Sequence, residues 1–488
     1  MTISFNEIPA DRRVPFCYVE FDGTGAVQGA QKQPYKNLYI GQRLSAGSVD
    51  AEIPIRVTNK DQASNYFGAG SVLQKMLEAQ FEVNRSTETW AVALDDDDAG
   101  VAASGQFSLS GTASESGTLY LYVGGQRVKV AVTSGDSAAT VATAVRAAIN
   151  ATADMVTIAG GASGTVDVVA RNKGAIGNYI DLRDSYYDGE EVPAGLAVAV
   201  TPMASGSGNP DVADALAAIG VEQFRVIVHP YTDQANINAL DEELSDRWGP
   251  LTQNDGQAYT ASNVSHGSLS TLGNLHNSKF NTIVACSGSP DLPWQFAAAV
   301  AGRVALSASI DPARPVQTLA LTGRKAPKME DRFTSEERNI LLYDGISTLT
   351  IDSGGTCLIE RIITTYKTNP LGADDPSYLD IETMNTLSYL RWDWRNYVLR
   401  KFPRHKLADD GTRFGEGQAI ITPLGMKAEA IARFRQWELD GLVEGFEQFK
   451  DQIIVERNAS DPNRLDMLMP PDLVNQLRVT AVKIAFLL

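Results

Sequence analysis

Apolar runs and helical stripes alternate through the middle of the chain. Phe224–Val228 (FRVIV) and Phe280–Cys286 (FNTIVAC) are continuous apolar runs, typical of strands that a parallel sheet buries on both faces. A helical pattern follows each run: Asp233 is placed to cap the first helix, and Leu292–Ser307 is a second, largely apolar helix. The stripe of the first helix comprises Ile237, Leu240, Leu244 and Trp248. Strands and helices that alternate over short connections predict a doubly wound α/β layer.

The same alternation starts nearer the beginning of the chain. Asn37–Gly41 and Thr89–Leu94 are predicted strands, and Ser71 is placed to cap the helix between them. The apolar stripe of that helix comprises Val72, Leu73, Met76, Leu77 and Phe81. Much later, Thr334 and Glu337 form a capping box ahead of another helix. The predicted α/β layer is therefore assembled from stretches that lie far apart in sequence.

Three further helices are predicted from caps and periodicity. Asn209 as a cap and Pro210 as a first residue predict a helix that ends at Gly220. Long amphipathic patterns predict helices over about Asp375–Phe402 and Gly425–Gly441. A hairpin over 347–366 and a strand near 453–455 complete an α+β arrangement towards the C-terminus.

The composition changes between Ala99 and Ser207. This stretch is rich in Gly, Ala, Ser, Thr and Val, and it contains LYLYVGGQRVKVAV, a hairpin pattern turning at Gly124-Gly125. An alanine-rich helix is predicted from Ser137 to Asn150. Either an ordinary β-rich domain or an insertion into the α/β layer fits this pattern, and the position between the two α/β stretches favours an insertion.

Both ends of the chain read as apolar strands. Near the C-terminus, LRVTAVKIAFLL places large apolar residues two apart on one face, and only Lys483 interrupts the other face. VPFCYVEF near the N-terminus is similar, with Pro15 marking an edge strand. The strand residues are Val14, Phe16, Tyr18, Val19 and Phe21 at one end, and Val479, Val482, Ile484, Phe486 and Leu488 at the other. Since such strands need partners on their faces and edges, we expect each copy to complete a sheet in a neighbouring copy.

Size and charge narrow the class of protein. A chain of 488 residues is expected to hold several domains, and its net charge of −17 disfavours general nucleic-acid binding. Cys17, Cys286 and Cys357 are too few and too scattered for a disulfide framework, which suggests a reducing compartment. MTISFNEIPADRR does not resemble a signal peptide, and no apolar run is long enough to span a bilayer. We expect a soluble protein, made in the cytoplasm, without membrane insertion.

The chain offers little catalytic chemistry. His229 follows a predicted buried strand and would be the first candidate for a base, but a histidine that merely closes the strand is the simpler interpretation. Neither a nucleophile elbow nor a P-loop is present, and Gly68-Ala69-Gly70 reads as helix-entry geometry. The run Asp95–Asp98 lacks the spacing of a calcium loop. We therefore expect no enzyme, no cofactor and no metal site.

One basic cluster stands out in this acidic chain, at the end of the long predicted helix. It comprises Arg395, Arg400, Lys401, Arg404 and Lys406, with His405 among them. Cations at a helix C-terminus compensate the helix dipole, so the cluster can be purely structural. Its density equally fits a docking face for an acidic partner.

Four segments resemble the contractile-tail sheath proteins of myophages, in particular the Mu-like branch. They are ISFNEIPADRRVPFCYVEFD, ALAAIGVEQFRVIVHPYTD with the following RWGP, ITPLGMKAEAIARF and RVTAVKIAFLL. The resemblance covers nearly the whole chain except 99–207. It implies a subtilisin-like, doubly wound central domain without a catalytic triad, an inserted β-rich domain, an α+β C-terminal domain and two strand arms. The implied boundaries are 1–30 for the N-terminal arm, 31–98 and 208–365 for the core, 99–207 for the outer insertion, 366–475 for the inner domain and 476–488 for the C-terminal arm.

The resemblance also implies a function. Sheath subunits form hexameric rings that stack helically around a tail tube and contract during genome delivery, so the implied partners are the chain itself, the tube, and the baseplate and tail terminator proteins. The implied location is the virion, after assembly in the host bacterial cytoplasm, and the basic cluster becomes a tube-facing candidate. Three alternatives stay open: an α/β enzyme with an accessory β domain, a tail-tube or surface-lattice protein, and the sheath of a contractile bacteriocin or injection particle.

Overall fold

The computed structural model describes residues 33–487. These residues divide into two compact units, one comprising 34–391 with 475–487 and the other 392–474 with Gln33. In the larger unit the elements are, in chain order, β1 (Lys36–Gln42), β2 (Ile55–Val57), α1 (Lys60–Phe67), α2 (Val72–Val83), β3 (Glu88–Leu94), β4 (Ser104–Gly111), β5 (Gly117–Val123), β6 (Gln126–Val132), α3 (Ala138–Ala151), β7 (Thr157–Gly160), β8 (Thr165–Ala170), β9 (Leu182–Asp184), β10 (Leu196–Ala204), α4 (Val212–Ile219), β11 (Val226–Val228), α5 (Gln234–Trp248), β12 (Gln257–Ser262), α6 (His266–Asn274), β13 (Asn281–Ala285), α7 (Pro293–Ala308), α8 (Ser335–Tyr343), β14 (Ile346–Ile351) and β15 (Cys357–Arg361).

The boundary between the units falls within the next helix, α9 (Ile381–Lys401). The smaller unit continues with β16 (Lys406–Leu407), β17 (Ile420–Ile421), α10 (Pro423–Leu439), β18 (Val443–Glu444), α11 (Phe446–Gln452), β19 (Ile454–Arg457), β20 (Leu465–Leu468) and β21 (Asp472–Leu473). None of the helices in 33–487 is both long and apolar enough to cross a membrane.

An eight-stranded sheet organises the larger unit, in the order β15-β14-β13-β12-β11-β1-β3-β2. Its six central strands are parallel, and β2 and β15 pair antiparallel at the two edges. The chain runs from β1 to β3 in one direction and from β11 through β14 in the other, so the strand order reverses between β1 and β11. The mixed α/β class, with this doubly wound order, is the one that the apolar pattern predicts.

Helices α2 and α7 pack closely against each other beside this sheet. The Ser71 side chain accepts a hydrogen bond from the Gln74 amide and starts α2 where predicted. Helix α7 approaches α2 at Gly302, where a Cβ atom would lie 2.2 Å from the Gln80 Oε1 atom. Gln80 accepts a hydrogen bond of 2.7 Å from the Tyr39 hydroxyl in β1, so this contact also ties the helices to the sheet.

Residues between β3 and α4 form two sheets of their own. These sheets have the orders β10-β4-β8-β7 and β6-β5-β9, and α3 packs against them. Gly124 and Gly125 have φ angles of 52° and 77°, the left-handed values that a tight primed turn between β5 and β6 requires. A bridge between Val101 and Ser207 brings entry and exit together. The topology is that of a segment interposed between two strands of the main sheet.

Two helices start later than the sequence suggests. Helix α4 is capped by Asp211, whose side chain accepts from the Ala213 amide, whereas Asn209 donates its side-chain amide to Asp233 at 2.8 Å. Helix α9 starts at Ile381 because Asp375 is engaged in a turn, where it accepts from the Ser377 amide at 2.9 Å. In both cases a polar side chain finds a nearer partner than the predicted helix terminus.

The smaller unit is built around α10 and the second half of α9. Asp393, which is fully buried, accepts hydrogen bonds from Arg433 Nε at 2.6 Å and from Trp437 Nε1 at 2.7 Å. Phe434 stacks on Phe449 of α11 with ring centroids 4.1 Å apart. Three two-stranded pairs, β16-β17, β18-β21 and β19-β20, are also present in the described part of this unit.

Candidate assembly surfaces

The C-terminal arm, residues 476–488, presents apolar side chains to solvent. Its described part, 476–487, forms no strand, and its large apolar residues are exposed to between 73% and 84% of their surface, with Leu487 fully exposed. The members are Leu477, Val479, Val482, Ile484 and Phe486. Burying one such side chain stabilises by about 1.5–3 kcal/mol, so a partner that covered the arm would gain a large binding free energy. Leu488 and the predicted N-terminal strand residues Val14, Phe16, Tyr18, Val19 and Phe21 lie outside the described residues.

One edge of the main sheet is already covered. The segment 318–321 runs beside β15, with the Thr318 amide donating to the Ile359 carbonyl at 2.7 Å and the Leu321 amide donating to the Cys357 carbonyl at 2.8 Å. An added strand would have to displace this segment, so the β15 edge is a poor acceptor for a neighbour.

A second apolar surface lies on the β19-β20 hairpin of the smaller unit. Ile454 and Leu468 stand opposite each other in the register and are 53% and 58% exposed. An isolated two-stranded hairpin is marginally stable in water, and an exposed cross-strand pair marks an incomplete sheet.

The predicted basic cluster lies at the surface. Arg395, Arg400, Lys401, Arg404 and Lys406 are all exposed. Lys401 binds Glu429 at 2.6 Å and the Tyr397 hydroxyl at 2.9 Å, and the hydrogen bond with Glu429 raises the pKa of Lys401. Lys406 donates to the Gln418 side chain at 2.8 Å. The cluster is thus partly used within the smaller unit and remains accessible to a partner.

His229 is sealed in the core of the larger unit. It is fully buried, and loss of hydration lowers its pKa to about 4, so the ring is neutral near pH 7. Asp233, the nearby acid, caps α5 by accepting from the Asn236 amide. The His229 ring therefore packs in the core, and Asp233 serves as a helix cap.

The acidic run Asp95–Asp98 has structural partners. Asp96 accepts hydrogen bonds from Gln42 Nε2 at 2.6 Å, Asn172 Nδ2 at 3.0 Å and the Lys173 amide at 2.9 Å. Asp95 pairs with Arg43 at 2.7 Å. The run therefore ties residues of the interposed segment to β1, and within residues 33–487 no three His, Cys, Asp or Glu side chains are arranged so that they could hold a metal ion.

The glycines before α2 are used for close packing. Gly68 and Gly70 both have φ near 84°, and a Cβ on Gly70 would lie 2.3 Å from the Met155 carbonyl oxygen. This contact with a neighbouring backbone, together with the positive φ angle, explains why position 70 is a glycine, without any need for a bound nucleotide.

An arginine that the sequence pattern did not mark out forms ion pairs near the beginning of the C-terminal arm. Arg478 Nη2 lies 3.0 Å from Asp380 Oδ1 and 2.8 Å from Glu382 Oε2, close to the start of α9. In the sequence, only its position could have suggested this role, because Arg478 is the last charged residue before the apolar strand pattern of the arm.

Comparison with known proteins identifies the class. The family model for the phage tail sheath central domain matches residues 205–365, and the model for the phage tail sheath C-terminal domain matches 373–486. The chain is also 42% identical, over the full length of both proteins, to the Mu-like prophage FluMu tail sheath protein of Haemophilus influenzae. The chain belongs to the phage tail sheath family. It is a structural protein of a contractile phage tail.

A solved structure shares the fold of this chain. A crystal structure of a sheath tail protein from Listeria innocua superposes with a TM-score of 0.50 at 12% identity, covering 93% of this chain and 94% of that one. The contracted helical sheath of the anti-feeding prophage gives a TM-score of 0.48 at 10% identity, covering 97% and 99%.

Proposed function

We propose that this chain polymerises as hexameric rings stacked around a tail tube, and that the polymer contracts to drive the tube through the host envelope. The observation that carries this proposal is the C-terminal arm, whose apolar side chains are more than two-thirds exposed in the single subunit. A surface of this kind in a sheath-family chain needs a neighbouring subunit to bury it.

The arms supply connections that persist while subunits move. A strand that pairs with a neighbour contributes several backbone hydrogen bonds, each worth about 0.5–1.5 kcal/mol net. Burial of Val482, Ile484 and Phe486 adds about 1.5–3 kcal/mol for each side chain. Contraction needs no nucleotide, because the free energy is stored in the packing of the extended sheath and released when subunits repack.

The β19-β20 hairpin is our candidate acceptor for a neighbour's arm. Ile454 and Leu468 offer an exposed apolar pair on a sheet of only two strands, which an added strand would enlarge and cover. The N-terminal strand is proposed to take part in the same exchange.

The remaining assignments follow from the family. We propose that the core is a subtilisin-type layer without a protease triad, that 99–207 is an outer domain and that 366–475 faces the tube. The proposed partners are the tube, baseplate and tail terminator proteins, in a virion assembled in the bacterial cytoplasm. Because His229 is buried and neutral, the alternative of an α/β enzyme loses the base that the sequence pattern singled out.

Electron microscopy tests the proposal directly. The full chain should form tubes or stacked rings, alone or with added tube protein, and a version truncated after Gln476 should remain as single particles. Lys483→Gln is the matched control, because Lys483 interrupts the apolar pattern of the arm and its replacement removes no apolar contact. Single particles from the full chain in the presence of tube, or polymers from the truncated chain, would refute the proposed role of the arm.

A further inference from the structure

Two carboxylates close to the start of α9 bind Arg478, near the beginning of the C-terminal arm. Arg478 Nη2 donates to Asp380 Oδ1 at 3.0 Å and to Glu382 Oε2 at 2.8 Å. The Arg478 side chain is only 15% exposed and that of Glu382 only 1%, so the contact is largely withdrawn from water. Charge-assisted hydrogen bonds of this kind are stronger than neutral ones.

Both carboxylates are themselves held in place. Asp380 receives a two-pronged contact from Arg361, with distances of 2.9 Å and 2.8 Å. Glu382 uses its second oxygen to accept from the Val316 amide at 3.0 Å. Burial raises the pKa of Glu382, and the positive charge of Arg478 opposes that rise. Contacts outside the arm therefore hold both carboxylates in place, and Arg478 adds a second positive charge beside them.

The chain changes character at this arginine. Gln476, just before it, donates to the Ala313 carbonyl at 3.4 Å, whereas every described residue from Val479 onwards is exposed. Among the described residues, Arg478 is therefore the last one of the arm with a side chain that is largely withdrawn from water.

We propose that Arg478 anchors the C-terminal arm, and that its ion pairs with Asp380 and Glu382 set the point and direction at which residues 479–488 leave the subunit. This inference rests on the proposed pairing of the arm with a neighbouring copy. Force carried by the arm during repacking of the sheath then enters the subunit at the start of α9 instead of unravelling residues 475–478.

Limited trypsin digestion tests the anchor in the single subunit. Trypsin cleaves after Arg478 and after Lys483, and the two cuts release ten and five C-terminal residues, which intact-mass spectrometry separates. Lys483 is exposed, so its bond is cut without any opening, whereas Arg478 must first leave its two carboxylates. We expect cleavage after Lys483 to be at least about 10-fold faster in the wild-type chain, since a hydrogen bond to a charged group must break.

Glu382→Gln is the informative variant, because glutamine retains the size of the side chain and an oxygen for the Val316 amide but loses the charge. Cleavage after Arg478 should accelerate about 10-fold, while cleavage after Lys483 stays unchanged. Glu360→Gln, which removes a part-buried ion pair with Arg338 at 2.8 Å elsewhere in the same unit, is the control and should change neither rate. Equal cleavage at both sites in the wild-type chain, or no acceleration in Glu382→Gln, would overturn the anchor.

Assembly provides a second readout that separates the anchor from the arm. Arg478→Met keeps the length of the side chain and the whole of 479–488, yet we expect it to form fewer polymers than wild type, with Arg478→Lys intermediate. Normal polymerisation of Arg478→Met would also overturn the anchor. If Phe486→Asp still polymerised, the proposed pairing of the arm would be wrong. The digestion experiment would still test the anchor, because it is carried out on the single subunit.

Discussion

Replacement of Phe486 is the sharpest test of whether the arm drives assembly. The ring is 77% exposed in the single subunit, and pairing with a neighbour is expected to bury most of that surface. Full burial of such a side chain is worth about 1.5–3 kcal/mol, so Phe486→Ala should cost about 1–2 kcal/mol for each pairing. Since 1.4 kcal/mol corresponds to a tenfold change in a binding constant, the concentration needed for polymerisation should rise about 10-fold.

Phe486→Asp should be more severe, because the pairing then has to bury a carboxylate as well. Desolvation of an unpaired charge adds several kcal/mol, which raises the required concentration by about 100-fold or more. The single subunit should be unaffected, since substitutions at exposed positions change the free energy of unfolding by only about 0.5 kcal/mol.

Sedimentation across a concentration series measures this directly. The protein left in the supernatant gives the critical concentration, and circular dichroism during thermal unfolding reports the stability of the subunit. The critical concentration should be lowest, and nearly equal, for wild type and Lys483→Gln. It should be higher for Phe486→Ala and highest for Phe486→Asp. Identical critical concentrations for wild type and Phe486→Asp would contradict the strand-pairing model, and a large loss of thermal stability in Phe486→Asp would show that Phe486 supports the subunit itself.

Three other outcomes follow from the structure. Charge reversal at Arg400, Lys401 and Arg404 should weaken co-assembly of sheath with tube in a salt-dependent manner while leaving unfolding unchanged, and undiminished co-sedimentation with tube would argue against a tube-facing role. Burial lowers the pKa of His229 from 6.5 to about 4, so the unfolded chain binds the proton more tightly than the folded chain. The free energy of unfolding should therefore fall by up to about 3 kcal/mol as the pH drops from about 6.5 to 4. Denaturant titrations should show a shallower dependence on pH in His229→Leu. Asp393→Ala should destabilise the smaller unit by about 3–5 kcal/mol, because Arg433 loses its carboxylate partner and Trp437 Nε1 loses its buried acceptor, and unchanged urea unfolding would show that these contacts contribute little.

Local patterns predicted most elements of the core because their causes are local. Ser71 and Asp233 cap the helices at which they were placed, and the capping box of Thr334 and Glu337 forms as predicted. The adjacent glycines 124 and 125 adopt the positive φ angles that their hairpin demands. In each of these cases the partner lies within a few residues, so sequence spacing alone carries the information.

Strand β12 shows where such patterns fail. Its sequence, QAYTAS, is too polar to suggest a buried strand, yet all six residues are buried. Gln257 donates to the Lys279 carbonyl at 3.1 Å, and Thr260 donates to the Tyr231 carbonyl at 3.2 Å. Partners more than twenty residues away satisfy the polar groups, and no periodicity within the strand reveals them.

The anchor of the arm escaped prediction for the same reason. Arg478 reaches carboxylates 98 and 96 residues earlier in the chain, and nothing near it in sequence marks those acids as its partners. The alternation after Arg478 predicts a strand, but residues 476–487 form none in the single subunit, and the proposed acceptor belongs to another subunit. A pattern within one chain can show that a strand lacks a partner, but it cannot show which surface completes it.

An exposed apolar segment such as the C-terminal arm carries a risk of aggregation. Unpaired strands with high β-propensity and little charge promote aggregation, and the arm has both properties apart from Lys483. The net charge of −17 opposes random association of subunits, and the lysine interrupts the apolar pattern at its centre. The anchor at Arg478 adds a geometric restriction, because an arm that leaves the subunit at a fixed point reaches fewer wrong partners than one that swings freely. We therefore expect specific assembly to depend on Arg478 and its two carboxylate partners as much as on the apolar residues of the arm.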